Sequence, residues 1–332
     1  MLDVARLAGV SQQTVSRVVN DHPNVSDDVR QRVEEAIQRL GYRRNSTARA
    51  LATNRTMGLG VVCFALSVNG PADALFGVTD EARRRGYSTH LTPLDDLDRA
   101  SLQRALDQFR LDAVDGVVVL APMAEVVEVM RGISVGLPIA VFEQGMASSA
   151  SSVGIDDVYG AQLATRHLIE LGHREVLHIA GPVGWMASDA RARGWDSELR
   201  LAERTGREMI RADDWSAAAG YAAGRKYLER SGAPTAVLAA SDRLALGFVK
   251  ALHEAGVRVP DDVSVVGFDD IAEAGYFEPA LTTVHFDFVA VGREAVARVV
   301  AAIDRTESTG PDALSVPELV VRSSTAPPRR TG

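Results

Sequence analysis

The chain has 332 residues, 46% of them apolar and 24% charged, the composition of a globular protein with room for two or three domains. No run of about 18 uninterrupted apolar residues occurs, so no membrane-spanning helix is expected, and no basic segment followed by an apolar one marks a secretory signal. The single cysteine, Cys63, excludes an internal disulfide and a cysteine-based zinc site, and a cytoplasmic protein is expected.

The net charge of −8 is unevenly spread. Residues 1–55 carry nine arginines against six carboxylates, and the remainder is net −11. A small basic head on an acidic body suits a head that meets a polyanion. With 34 arginines and only two lysines, Lys226 and Lys250, arginine abundance reflects coding bias and alone says nothing about phosphate contacts.

The first element is a short helix over 3–8, stopped by Gly9. Ser11 can N-cap a second helix over 12–19, which Asn20 can end. Ser26 can cap a third, with Asp27 and Asp28 in its first turn, where the helix dipole favours anions. Val29, Val33, Ile37 and Leu40 recur at helical spacing on one face, and Gly41 stops that helix. Val4, Leu7, Val10, Val15 and Val18 are expected to complete a small core. Two short helices around a Gly-Val turn make a helix-turn-helix, whose second helix can enter the major groove. Its exposed face carries Gln12, Gln13, Ser16 and Arg17. Gln pairs bidentately with adenine and Arg with guanine. On pattern alone, a structural or protein-binding three-helix bundle stays open as an alternative.

From residue 58 strands and helices alternate. Strands are expected over 58–64, 87–92, 116–120, 139–142, 176–180, 236–239 and 263–268. Helix-like segments include 72–85, 158–171, 216–231 and 242–255. Such alternation predicts right-handed βαβ units and parallel sheets, here divided between two α/β lobes. No dinucleotide fingerprint, Walker A loop, HExxH or GxSxG occurs. His167, His173 and His178 fall on a helix, a turn and a strand, so structural roles are expected for them. Asp156/Asp157 and Asp269/Asp270 are adjacent pairs whose side chains point apart, which is poor geometry for an acid–base dyad. No catalysis, metal or cofactor is expected.

Segment 3–53, DVARLAGVSQQTVSRVVNDHPNVSDDVRQRVEEAIQRLGYRRNSTARALAT, resembles the head of the lactose-repressor (LacI/GalR) family of bacterial regulators. The V-S-x-x-T-V-S-R-V-x-N run and the later L-G-Y-x-x-N carry the likeness. It implies that Gln12, Gln13 and Arg17 read bases, while Ser11, Thr14, Ser16, Asn20, Tyr42 and Asn45 hold phosphates or the helix framework. It also implies a homodimer on a pseudo-palindromic double-stranded operator. Family members carry a few residues before the first helix, one of which caps it; here Met1 stands where that helix has begun, so a start upstream of Met1 is expected. Residues 45–56 read alone are a flexible tether. The resemblance implies instead a hinge helix that orders on DNA and wedges Leu51 into a minor-groove step.

LATRHLIELGHREVLHIAG (163–181), PTAVLAASDRLALGFVKALHEAGVRVPDDVSVVGFDD (234–270) and PALTTVHFDF (279–288) are similar to the same family's effector-binding core, which shares its fold with periplasmic sugar-binding proteins. The resemblance implies a helix-turn-helix head over 1–44, the hinge over 45–56 and the core over 57–330. The core divides into one lobe of about 57–154 and 286–315, and another of about 155–285 and 316–330. An effector would lie between the lobes, at the carboxyl ends of the strands. There Asp269 can accept from two vicinal hydroxyls, and Arg191 offers a planar fork of donors. Trp215 offers a flat face, Ser241 a hydroxyl, Phe64 and Phe288 a wall, and Glu143 follows a strand. Their plain structural alternatives are a turn residue, a surface ion pair, a core aromatic and a helix cap. ARARGW, DDWSAAAGY and TTVHFDF echo the family's lactose-binding namesake, with departures at Ser241, Phe286 and Phe64. A galactoside or glucoside is the first expectation and a purine or nucleoside the alternative. A sugar-binding sensor without DNA binding is the remaining reading. No apolar heptads follow the strand expected over 318–322, so a dimer is expected rather than a tetramer.

Overall fold

Three short apolar stripes in the first forty residues can leave water only by packing on one another. In the computed structural model they form α1 (Leu2–Ala8), α2 (Gln12–Val19) and α3 (Asp27–Leu40). The structure describes residues 1–19, 22–42, 55–64, 66, 68–94, 98–120, 123–131, 136–144, 152–204, 208–230, 232, 234–306 and 314–329, without the side chains of Asn69, Arg131, Glu143, Gln144 and Leu314. Contacts divide the chain into Met1–Thr56 and Met57–Gly332.

In the first unit, Ser11 Oγ accepts from the Thr14 N–H at 3.1 Å and caps α2. Gly9 and Gly41 end α1 and α3 in the left-handed conformation. Ser26 has the extended backbone of an N-cap, but its hydroxyl makes no cap bond, contrary to the expectation from sequence. Val4, Ala5, Ala8, Val15, Val18, Val33 and Ala36 are the core. Leu7, expected among them, is 48% exposed. At 100° per residue it lies about 110° around α1 from the centre of the face formed by Val4, Ala5 and Ala8. Leu40, in the last turn of α3, is also half exposed. Asn20, Asn45 and Leu51, and with them most of the expected hinge, lie outside the described residues.

The second unit alternates strand and helix. Its first half runs β1 (Gly58–Cys63), α4 (Asn69–Arg84), β2 (Ser88–Pro93), α5 (Arg99–Leu111), β3 (Gly116–Leu120), α6 (Ala124–Arg131), β4 (Ile139–Gln144) and β5 (Ser152–Ile155). There follow α7 (Asp157–Glu170), β6 (Leu177–Ala180), α8 (Met186–Leu201), β7 (Met209–Arg211), α9 (Ala217–Leu228), β8 (Ala236–Ala239), α10 (Asp242–Glu254), β9 (Ser264–Asp269) and β10 (Thr282–His285). The chain closes with α11 (Phe288–Asp304), β11 (Leu314–Ser315) and β12 (Glu318–Val320). Two six-stranded sheets result, ordered β11-β5-β4-β3-β1-β2 and β12-β10-β9-β8-β6-β7. Among the described residues, every pairing within these two sheets is parallel except β10 with β12. The chain therefore passes between sheets three times: after Ile155, after His285 and after Ser315.

β1, β3, β6 and β8 are buried along their whole length, as parallel strands covered on both faces must be. Helices pack in close pairs at small residues. An ideal Cβ on Gly247 of α10 would stand 1.8 Å from the Ala217 carbonyl oxygen of α9, and one on Gly292 of α11 would stand 2.0 Å from the Ala74 oxygen of α4. The three histidines take structural posts. His167 bonds Thr325, His173 bonds Thr235, Ser264 and the Ala326 carbonyl, and His178 stacks on Trp195 at 5.4 Å.

Candidate effector cleft and nucleic-acid interface

On the first unit, the face of α2 opposite Val15 and Val18 presents Gln12, Gln13 and Arg17 to solvent, with Thr14 and Ser16 half-buried beside them. Ser11 and Thr14 bond each other at 2.9 Å through their hydroxyls, so both are committed to the cap. Tyr42 packs on the edge of the core with Val19 and Ile37. The Arg30 guanidinium donates to the His22 carbonyl at 3.1 Å and tethers the turn before α3. The result is a rigid short helix whose outward side chains carry amide and guanidinium hydrogen-bonding groups.

On the second unit, the carboxyl ends of the strands converge on a cleft lined by Val68, Gly70, Pro71, Trp185, Ala187, Arg191, Trp215, Asp269 and Phe288. It holds about 280 Å³ of space between atoms. Only about 20 Å³ at its heart is open to a water-sized occupant, enough for about one ordered water. Four of the seven expected effector residues, Arg191, Trp215, Asp269 and Phe288, are brought together here. Ser241 is not: its hydroxyl accepts from the Leu244 N–H at 3.2 Å and caps α10. Phe64 stands behind the lining, its ring 6.5 Å from that of Trp185. The Glu143 side chain lies outside the described residues.

Arg191 organises the cleft. It projects from α8 with 2% exposure, and its Nε donates to Asp157 Oδ1 at 2.7 Å. Its Nη2 reaches Asp269 Oδ1 at 3.0 Å, and Nη1 donates to the Ala240 carbonyl. The guanidinium lies 4.0 Å from the centre of the Phe268 ring and 5.8 Å from that of Trp215. Burial opposes its charge, but the carboxylates of Asp269 and Asp157 more than offset that and hold the proton firmly. Burial pushes Asp269 up to about 6, with Arg191 acting against the shift and Asp157 with it. Burial also raises Asp157, and takes Asp242 up to about 8, helped by the charge of Asp269. One guanidinium thus serves a cluster rich in carboxylates.

Asp269 ends β9 at φ 101°, a left-handed conformation rare for a residue with a side chain. The neighbouring Asp270 turns the other way, to Arg322 at 2.7 Å and His285 at 3.2 Å. The two carboxylates diverge, as adjacent residues at a strand end do. Asp156 and Asp157 diverge likewise: Asp156 caps α7 by accepting from the Tyr159 N–H at 2.9 Å. Among the described residues, Asp157 Oδ2 and Trp215 Nε1 are buried and have no hydrogen-bond partner.

The aromatic wall depends on small neighbours. A Cβ on Gly181 would stand 2.2 Å from Trp215, and one on Gly70 would stand 2.7 Å from Phe288. Phe286 is buried between Phe268 and Phe288, at 5.4 and 5.9 Å, and does not line the cleft. Sequence reasoning missed Trp185, which follows an undistinguished GPVG turn, and Asp157, visible only as half of an unpromising acidic pair.

Comparison with known proteins gives the family. Residues 1–45 match the bacterial regulatory proteins, lacI family, and residues 165–325 match a periplasmic binding protein-like domain. The lactose operon repressor of Escherichia coli (strain K12) is 30% identical over 99% of this chain and 91% of its own length. The HTH-type transcriptional repressor PurR of Glaesserella parasuis serovar 5 is 33% identical over 97% of each chain. A lac repressor dimer bound to operator and the anti-inducer ONPF superimposes with a TM-score of 0.84 at 30% identity, covering 98% of both chains. A complex of the transcriptional regulator CelR with cellobiose gives 0.69 at 31% identity, over 97% of this chain and 98% of that one. With relatives of this identity along nearly its whole length, the chain belongs to the lacI family of bacterial regulatory proteins, a DNA-binding transcriptional regulator and not an enzyme.

Proposed function

We propose that the chain is a repressor whose hold on a two-fold operator is set by a small, uncharged, hydroxyl-rich sugar in the cleft. The observation that carries this reading is the buried Arg191–Asp269 pair between Trp215 and Phe288. A carboxylate accepts from paired hydroxyls, a guanidinium donates to ring and hydroxyl oxygens, and an aromatic face covers the apolar side of a pyranose. An anionic effector would join a site already rich in carboxylate. The head would read bases through Gln12, Gln13 and Arg17, as a homodimer on two half-sites. The effector would act by favouring one relative orientation of the two sheets over another.

A purine is the second reading, favoured by PurR relatives at 33% identity and by the unpartnered indole N–H of Trp215. A thermal-shift panel of lactose, cellobiose, methyl galactosides and purine bases separates the two. A ligand at 100 times its Kd adds about 2.7 kcal/mol of stability, a readily visible shift. A sugar should shift the melting temperature and Asp269→Ala should remove that shift. A shift with purines alone would overturn the sugar reading.

A further inference from the structure

Trp185, in the cleft lining, touches structure belonging to both sheets. It stands immediately after the β6 turn, at the start of α8, and so belongs to the second sheet's half. Its backbone pairs with Met123 in an isolated antiparallel bridge. Met123 follows β3 and precedes α6, in the first sheet's half. The side chain repeats this span. The Trp185 ring lies 5.5 Å from Trp215, edge to face at 79°, and 6.5 Å from Phe64 at the end of β1. Phe64, Trp185 and Trp215 therefore form an aromatic row from one half to the other, with the cleft beneath its middle member.

The free space under that row admits about one water. Any sugar or purine is several times larger, so seating one needs a wall to move or the two halves to part. Trp215 is fixed against Gly181 and buried to 8% exposure. Arg191 is held by two carboxylates and a carbonyl. Phe288 is buried against Phe286 at the start of α11. Trp185 is only partly buried, at the edge of the core, and no side-chain hydrogen bond caps the helix it begins. It is the wall with the least to lose.

We propose that Trp185 is the gate of the cleft: anchored by its backbone bridge to Met123, its ring swings to admit the effector and closes over it, and its contact with Phe64 carries that movement to the other sheet. This rests on the cleft being the effector site. A gate of this kind controls passage in both directions. Removing it should speed association and dissociation together, whereas removing a mere contact surface speeds dissociation alone.

Two readouts on the full-length protein test it, using Trp185→Ala and the milder Trp185→Phe. The first needs no ligand. Hydrogen exchange followed by mass spectrometry should show peptides covering 58–64 and 181–191 exchanging about tenfold faster together in Trp185→Ala, because the ring contact between Trp185 and Phe64 protects both. Faster exchange in 181–191 alone would overturn the proposal. The second is stopped-flow intrinsic fluorescence with lactose and cellobiose as probes. Association and dissociation rates should each rise about tenfold in Trp185→Ala, with Kd changing far less, and Trp185→Phe should fall between. An unchanged association rate would overturn the gate. If neither probe binds the wild-type protein, whichever panel compound shifts its melting temperature serves as the probe for the rates, and unchanged exchange in both segments overturns the proposal without any ligand.

Discussion

A carboxylate forced to share a single cation in a buried site behaves differently from one in water, and Asp269 is the residue where this matters most. Burial raises it to about 6, against an ordinary value near 3.8, while Arg191 pulls the other way. A ligand hydroxyl donates best to the ionised form. Sugar affinity should therefore weaken as pH falls through 6, by about tenfold between pH 7 and pH 5, and titration calorimetry across that range checks it. Asp269→Asn should flatten this profile as well as weaken binding. The empty protein has the opposite sign. Between pH 3.8 and 6 the folded chain keeps a proton that the unfolded chain has released, so this group's contribution to stability declines as pH rises through that window. The chemistry of Asp269 and Arg191 was legible in the sequence, because each is polar and stands in a distinctive segment. Their partner Asp157 was not: nothing in a DD pair says which member turns inward.

At the scale of elements, the helices of the second unit approach one another more closely than side chains allow, and glycine makes this possible. Gly247 places α10 directly on the Ala217 carbonyl of α9. Gly247→Ala should force the two helices apart and cost about 1–3 kcal/mol, measurable by urea denaturation, with little change in the exposed face of α2. Strands such as β1, β3, β8 and β9 announced themselves by apolar runs and helices such as α7 and α10 by helical periodicity, whereas β10, with Val284 its one large apolar residue, was not expected as a strand. β7 and β11, of three and two residues, carry too few side chains to show any period, and β5 follows a Ser-rich segment without a strand signal. Ser26 shows the reverse failure: it is a good cap residue by chemistry, but its hydroxyl makes no cap bond. The solvent-facing Leu7 shows that a seven-residue helix has only one face to bury.

For the whole molecule, the uneven charge becomes a statement about binding. The head is basic and the remainder strongly acidic, so attraction to DNA is concentrated in the first fifty residues. Operator affinity should fall steeply and log-linearly with salt. Arg17→Ala should weaken operator binding by about 1–3 kcal/mol and relax preference at one base position, as gel-shift titrations against single-base operator variants would show. Equal losses on every sequence would instead mean that Arg17 holds phosphate.

The three passages between sheets also govern how the protein comes into being. The second sheet lacks its edge until β12 arrives, and Ser324, wholly buried, must still accept from the Thr282 N–H at 2.8 Å and donate to the Val265 carbonyl. The first sheet likewise waits for α11 and β11. Neither half can be finished before the chain has been made as far as β11 and β12. The head, local in sequence, needs none of this and can fold as soon as it emerges. Each newly made molecule thus completes its helix-turn-helix head before either half of its larger unit is whole.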